Sequence, residues 1–192
     1  MEAVDLRKLS VEDYLDLEKS SDQKWEFYDG EVFAMAGASA KHNAVTMNIA
    51  LALGNGLKRS GGKCFAMSSD QKIESRGGKG YFYPDISVIC GKPRFSVKHR
   101  AAIANPSVLI EVLSESTGDY DRARKFDHYS TIPEFQEYLV VSSEEQRVDH
   151  WKRTAENQWL VTRITTGEVH LESIGITLTL DDVYADLERV EP

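Results

Sequence analysis

The chain has 192 residues, 41% hydrophobic, 28% charged and 9% aromatic, with a net charge of −8. That length suits one domain over residues 1–192 with a core that needs no disulfides, and the composition excludes a disordered chain. No apolar run nears the roughly 20 residues of a membrane span, and the charged start Met1-Glu2-Ala3-Val4-Asp5 lacks the apolar stretch of a secretion signal, so a cytoplasmic protein without membrane contact is expected.

Ser10 followed by Asp13 resembles a capping box and opens a short helix to about Glu18. Residues 24–36 read as a hairpin around Asp29-Gly30, a strong two-residue turn signal. From about Ser39 to Ser60, Val45, Ile49, Leu53 and Leu57 recur every four residues, which predicts a long helix ended by Gly61-Gly62. Inside it, Gly54 and Gly56 weaken the last turns or allow close packing. Strands follow at about Cys64–Ser69, Gln71–Glu74 and Tyr81–Cys90, and residues 91–105 read as a basic loop. Val108–Leu113 is an apolar run broken only by Glu111 and fits a buried central strand. A helix over about Asp119–Tyr129 precedes a buried strand at Phe135–Val141. Strands at Val148–Arg153, Trp159–Ile164 and Val169–Glu172 read as a C-terminal meander, and a short helix starts near Asp181. The order implies an α/β or α+β domain with a mixed sheet.

Charge is uneven. Residues 58–100 carry ten basic side chains against three acidic ones, a net of +7 that leaves −15 for the rest. The acidic whole argues against nonspecific nucleic-acid binding, whereas the basic segment is either one phosphate-facing surface or a set of solvated charges. Cys64 and Cys90 form no CxxC motif and read as buried free thiols.

Three carboxylates carry the chemical argument. Glu111 lies inside Val108–Leu113, Asp85 inside Tyr81–Ile89, and Glu31 opens the second hairpin strand. A carboxylate in a core strand is costly unless it is paired, hydrogen-bonded or metal-bound. Asp121 and Lys125 lie four residues apart on the helix after the Glu111 strand, with Tyr129 one turn on. They are either a surface ion pair or a cation carried back over the strand end.

Pro84-Asp85 followed by Glu111 in a buried strand resembles the PD-(D/E)xK nuclease superfamily. A longer ordered set is similar to the Uma family within it. That set is Phe27-Tyr28-Asp29-Gly30-Glu31, His42, Pro84-Asp85, Pro106 with Glu111-Val112-Leu113, Asp121, Lys125, Tyr129 and Pro133-Glu134-Phe135. The likeness covers about residues 10–190. It implies a restriction-endonuclease-like core, a mixed central sheet flanked by helices. It also implies a Mg²⁺-dependent (or Mn²⁺-dependent) endonuclease acting on nucleic acid, DNA in the first instance.

Asp85, Glu111 and the Val112 carbonyl are then the implied metal ligands, and Glu31 completes the acidic cluster or holds a metal-bound water. Mg²⁺ suits such a set, because it is usually held by one or two carboxylates and substrate phosphates. The superfamily lysine stands two residues after the motif carboxylate, where this chain has Leu113. The resemblance therefore implies a migrated lysine, Lys125, held by Asp121, to orient the attacking water and offset negative charge. His42 reads equally as a phosphate or ligand contact or as a helix-start surface residue, and Gln71 as an exposed strand residue or a contact to water or substrate. Cutting both strands together calls for a homodimer of the 21.6 kDa chain.

Three readings stay open: the nuclease, a catalytically inactive nucleic-acid- or protein-binding module of the same fold, and a protein whose acidic cluster is a buried hydrogen-bond network. Metal binding separates the first from the third, and cleavage separates the first from the second.

Overall fold

The computed structural model describes residues 8–35, 37–113 and 119–190, with backbone alone at residues 76 and 119–122. Helix α1 (Val11–Lys19) begins at the expected capping box: Asp13 N–H donates to Ser10 Oγ at 3.1 Å, and Ser10 N–H donates to Asp13 Oδ2 at 3.0 Å. Strands β1 (Trp25–Tyr28) and β2 (Glu31–Ala34) form the hairpin. Asp29 and Gly30 both take positive φ, 55° and 86°, as a tight turn matched to strand twist requires.

Helix α2 (Ala40–Arg59) is capped by Ser39 and buries Val45, Ile49, Leu53 and Leu57. A Cβ on Gly56 would meet Ile176 at 2.8 Å, so this glycine lets the helix approach closely, whereas Gly54 faces open space.

Strands β3 (Cys64–Ser68), β4 (Ile73–Glu74), β5 (Gly80–Phe82), β6 (Ile86–Cys90) and β7 (Val108–Leu113) come next. Helix α3 (Asp119–Ser130) leads to β8 (Glu137–Ser142), β9 (Val148–Ala155) and β10 (Gln158–Ile164). The chain closes with β11 (Glu168–Leu171), β12 (Ile176–Thr179) and α4 (Leu180–Val183).

The central sheet has the order β10-β9-β8-β7-β6-β3; only β7 and β8 run parallel, with α3 as their crossover. One face packs on α2, β11–β12 and α4 through Ile86, Val88, Val108, Ile110 and Val112. The other carries an aromatic layer with Tyr28, Phe82, Tyr129, Phe135 and Tyr138. Alternation along β7 sends Leu109 to the aromatic side, and Glu111 shares that parity.

Three expectations are corrected. The strand expected over Tyr81–Cys90 is two strands: β5 belongs to a second sheet, β2-β1-β5-β4, and β6 to the central one. Pro84, with no N–H to donate, falls in the break at residues 83–85. The last strand of the expected meander leaves it: β8-β9-β10 form a meander, but β11 pairs with β12 as a separate hairpin. Gly167, at φ 82°, sits at the turn away. The cysteines are not free. Antiparallel pairing of β3 with β6 sets Cys64 opposite Cys90, and a disulfide joins them. No described helix is long and apolar enough to cross a membrane.

Neighbouring residues of α2 separate core from surface. Leu53→Ala should destabilise the fold by about 2–5 kcal/mol, the cost of an unfilled core site. Leu51→Ala, at a position 58% exposed, should stay within about 0.5 kcal/mol. Urea unfolding of the two variants beside the parent checks this.

Candidate active site

The register of β6 with β7 pairs Ile86 with Ile110. One step further sets Asp85 beside Glu111 at the sheet end, and Val112 N–H donates to Asp85 Oδ2 at 2.8 Å. From the first turn of α2, His42 Nε2 lies 3.4 Å from the other oxygen, Asp85 Oδ1. That bond with Asp85 raises the His42 pKa against the opposing effect of burial, while its Nδ1 is buried without a partner.

Glu111 is 6% exposed. Helix α3 crosses over it and supplies two partners from one face: Lys125 Nζ at 3.3 Å and the Tyr129 hydroxyl, donating at 2.8 Å, both to Oε1. Burial pushes the Glu111 carboxyl up to about 7; the Asp85 and Glu26 carboxylates add to the rise, and Lys125 and Tyr129 oppose it. Burial alone would lower the Lys125 pKa, but the Glu111 and Glu26 charges reverse this and hold its ammonium well above the usual lysine range. Burial, reinforced by the Glu111 charge, keeps the Tyr129 hydroxyl protonated.

Glu26 is the residue that sequence reasoning missed. It is fully buried on β1, and its Oε1 lies 3.0 Å from Lys125 Nζ and accepts from Tyr83 N–H at 3.0 Å. Its Oε2 is buried with no hydrogen-bond partner. The signal was present, since Trp25-Glu26-Phe27-Tyr28 interrupts an apolar strand as Glu111 does.

Asp85, Glu111, Val112, Lys125, His42 and Tyr129 thus come together with Glu26. Two expected residues go elsewhere. Glu31 shares the Glu26 face of the hairpin but sits beside the turn, where its carboxylate meets Arg124 at 3.6 Å instead of Asp85 or Glu111. Gln71 is outside the strands and spends its amide on the carbonyls of Lys72 and Ala101, both at 2.8 Å, so it ties a loop and does not face the cluster. The Asp121 side chain lies outside the described residues.

Residues 11–181 match the model of the Uma2 family, described as "Putative restriction endonuclease". The chain belongs to the Uma2 family. Two relatives from Synechocystis sp. (strain ATCC 27184 / PCC 6803 / Kazusa) are similar to this Uma2 chain. Uncharacterized protein sll1609 is 36% identical over 85% of the chain and 92% of its own length. Uncharacterized protein slr1290 is 36% identical over 94% of the chain and 93% of its own length. A crystal structure described as a "putative nuclease belonging to DUF820", from Anabaena variabilis ATCC 29413, superposes with a TM-score of 0.76. It covers 93% of this chain and 99% of its own, at 17% identity. The fold of this Uma2 chain is therefore nuclease-like.

The raised Glu111 pKa has a signed consequence. The folded chain holds this proton more tightly than a carboxyl at the ordinary 4.5, so the stabilising contribution is full below pH about 4.5 and is lost as pH rises through about 7. In chelated buffer, melting temperature should fall across that window, and Glu111→Gln should flatten the fall. A pH series of thermal melts measures it.

Proposed function

We propose that the chain is a metal-dependent endonuclease that hydrolyses phosphodiester bonds of DNA, using Lys125 in place of the lysine that Leu113 cannot supply. The observation that carries the reading is the approach of Lys125 Nζ to 3.3 Å from Glu111 Oε1, although the two groups belong to different elements. The ammonium stands where a buried strand carboxylate and the sheet-end carboxylate Asp85 converge.

The donor set fits Mg²⁺. Asp85, Glu111 and the Val112 carbonyl are hard oxygen ligands, the type this ion prefers. Burial pushes the Glu111 carboxyl up to about 7, with the Asp85 and Glu26 charges adding to the rise, and one Glu26 oxygen is buried and unpartnered. Among the described residues no group of three His, Cys, Asp or Glu side chains forms a ready-made cage. Mg²⁺ needs none, because substrate phosphates complete its shell. Bound there, the ion supplies positive charge against the scissile phosphate and lowers the pKa of water.

The protein groups then divide the work. Asp85 is oriented by Val112 N–H and His42, and Glu111 by the Tyr129 hydroxyl. Lys125, held protonated by Glu111 and Glu26, orients the attacking water and offsets charge growing on the phosphate. A compact ammonium suits so tight a site, and a planar guanidinium does not.

The competing reading is a buried ion-pair network without catalysis, favoured by the engagement of Lys125 with two carboxylates. Thermal melts with Mg²⁺ or Mn²⁺ decide between them. A cation that binds only the native state should raise stability by about 2.7 kcal/mol at 100 times its dissociation constant. Asp85→Asn should remove most of that rise. Lys125→Met should abolish cleavage of DNA and keep the metal response, and Lys125→Arg should cleave poorly. Equal metal responses in parent and Asp85→Asn would return the cluster to a structural role, and parental cleavage by Lys125→Met would return Lys125 alone to an ion-pairing role.

A further inference from the structure

The central sheet ends at β10 on one side and at β3 on the other. A free strand edge is a template for pairing with another chain, and proteins guard it with charge, proline, a bulge or short length. The β10 edge carries Arg163 and a register shift at Gln158/Trp159. In the smaller sheet, edge strand β2 opens on Glu31, and edge strand β4 has only two residues, one of them Glu74. Edge strand β3 has none of these guards. Cys64-Phe65-Ala66-Met67-Ser68 runs five residues without a charge or a proline, in unbroken register with β6.

The groups that β3 turns outward follow from those it turns inward. Gly91 N–H donates to the Lys63 carbonyl at 2.8 Å, and bonded and non-bonded positions alternate along an antiparallel pair. Lys63, Phe65 and Met67 therefore spend their backbone groups on β6, and Cys64, Ala66 and Ser68 turn theirs to the free edge. The Ser68 carbonyl accepts there from Gln71 N–H at 3.0 Å. Side chains alternate too. Cys64, Ala66 and Ser68 lie opposite Cys90, Val88 and Ile86 on the α2 face, and Phe65 and Met67 lie opposite Ile89 and Ser87 on the aromatic face. Phe65 is left 39% exposed. On the α2 side, Met47 and Leu51 are 59% and 58% exposed, and Met47 lines an open cavity of about 750 Å³ between α2 and β3.

We propose that β3 is the interface of a homodimer, pairing antiparallel with β3 of a second copy about a two-fold axis at Ala66. The strand is self-complementary. Read from either end it is small, large apolar, small, large apolar, small. In this register Ala66 faces Ala66 and exchanges both backbone bonds, and Ser68 N–H of each copy meets the Cys64 carbonyl of the other. On the aromatic face, Phe65 of each copy lies beside Met67 of the other, a favourable ring–sulfur pair. On the α2 face only small side chains meet, so Met47 and Leu51 of the two helices can close over the cavity. Past the strand ends, Lys63 of each copy comes beside Ser69 and the exposed Asp70 of the other, a match of opposite charge. A two-fold contact of this kind occupies the edge in both copies and stops at two. The inference concerns the sheet edge and stands apart from the nuclease reading.

Sedimentation velocity in chelator, without nucleic acid, reads the assembly alone, and the parent should be a dimer. Ala66→Pro removes an N–H that faces away from β6, a position where an edge strand tolerates proline. It should weaken the dimer at least about tenfold, because a two-fold contact loses the bond twice. Phe65→Lys changes an exposed side chain and should weaken the dimer by a similar factor, through loss of the Met67 contact and a pair of like charges near the axis. Ala66→Cys treated with a short bismaleimide should give a covalent dimer, since directly paired residues lie about 5.5 Å apart and the native cysteines are joined to each other. Val161→Cys, exposed on β10, should give none.

A monomeric parent overturns the proposal. So does a dimer that keeps its parental affinity in both Ala66→Pro and Phe65→Lys, or one cross-linked through residue 161 instead of 66, because either result moves the contact to another surface. Should Ala66→Pro fail to fold, Phe65→Lys and the cross-link decide. A dimer of this register that neither cleaves DNA nor responds to metal keeps the interface and refutes the nuclease reading. Metal-dependent cleavage by a monomeric parent does the reverse.

Discussion

The buried ammonium of Lys125, shared between Glu26 and Glu111, is the interaction that organises this molecule. It joins three elements: a hairpin strand of the small sheet, a central strand of the large sheet, and the crossover helix above both. Each carboxylate would be costly in its apolar layer without that cation. Yet burying an ion pair rarely stabilises a fold more than apolar side chains of the same volume would. The aromatic layer around it, where Phe82, Phe135 and Tyr138 pack around Tyr129, already supplies the apolar contact that docks the helix. Apolar packing alone would therefore dock the helix, and the charges are an addition to it.

The link at Tyr83-Pro84-Asp85 ties the small sheet to this centre. Tyr83 N–H holds Glu26, and the Tyr83 hydroxyl donates at 2.8 Å to Glu18 on α1. Glu18 pairs in turn with Lys72 and with His99 of the basic loop, His99 at 3.0 Å. Lys72 is nearly buried and lies over the rings of Tyr14 and Tyr83, near 5.2 Å from each. A second charge network thus buttresses the link that carries Asp85. The loop over residues 91–105, featureless in the sequence, is part of that support.

Much of this was legible beforehand, for identifiable reasons. Asp85 and Glu111 stood out because each breaks an apolar strand pattern, and Lys125 because a short strand-to-helix step returns it over Glu111. Glu31 was mistaken for its neighbour on the same hairpin face. A turn-flanking carboxylate and a mid-strand one differ in burial, and only the strand register shows how α3 assigns Arg124 to one and Lys125 to the other. The Cys64–Cys90 pairing and the departure of β11 from the meander are equally nonlocal. Both depend on which strand lies alongside, and pattern along a chain carries no such information.

A lysine two residues after its carboxylate, on one strand, keeps its distance through the pleat of that strand alone. Here Glu111 belongs to the sheet and Lys125 to a helix laid across it, so their separation is set by how tightly helix and sheet close. The spacing becomes adjustable. Any residue at the aromatic seam, such as Phe126 against Trp151 with ring centroids 4.3 Å apart, tilts the ammonium toward or away from the carboxylates without touching either. It also becomes separable, because lifting α3 removes the positive charge while both acidic groups stay fixed on the sheet. Local opening of a single helix would thus part the ammonium from the sheet carboxylates, a separation unavailable when both groups share a strand.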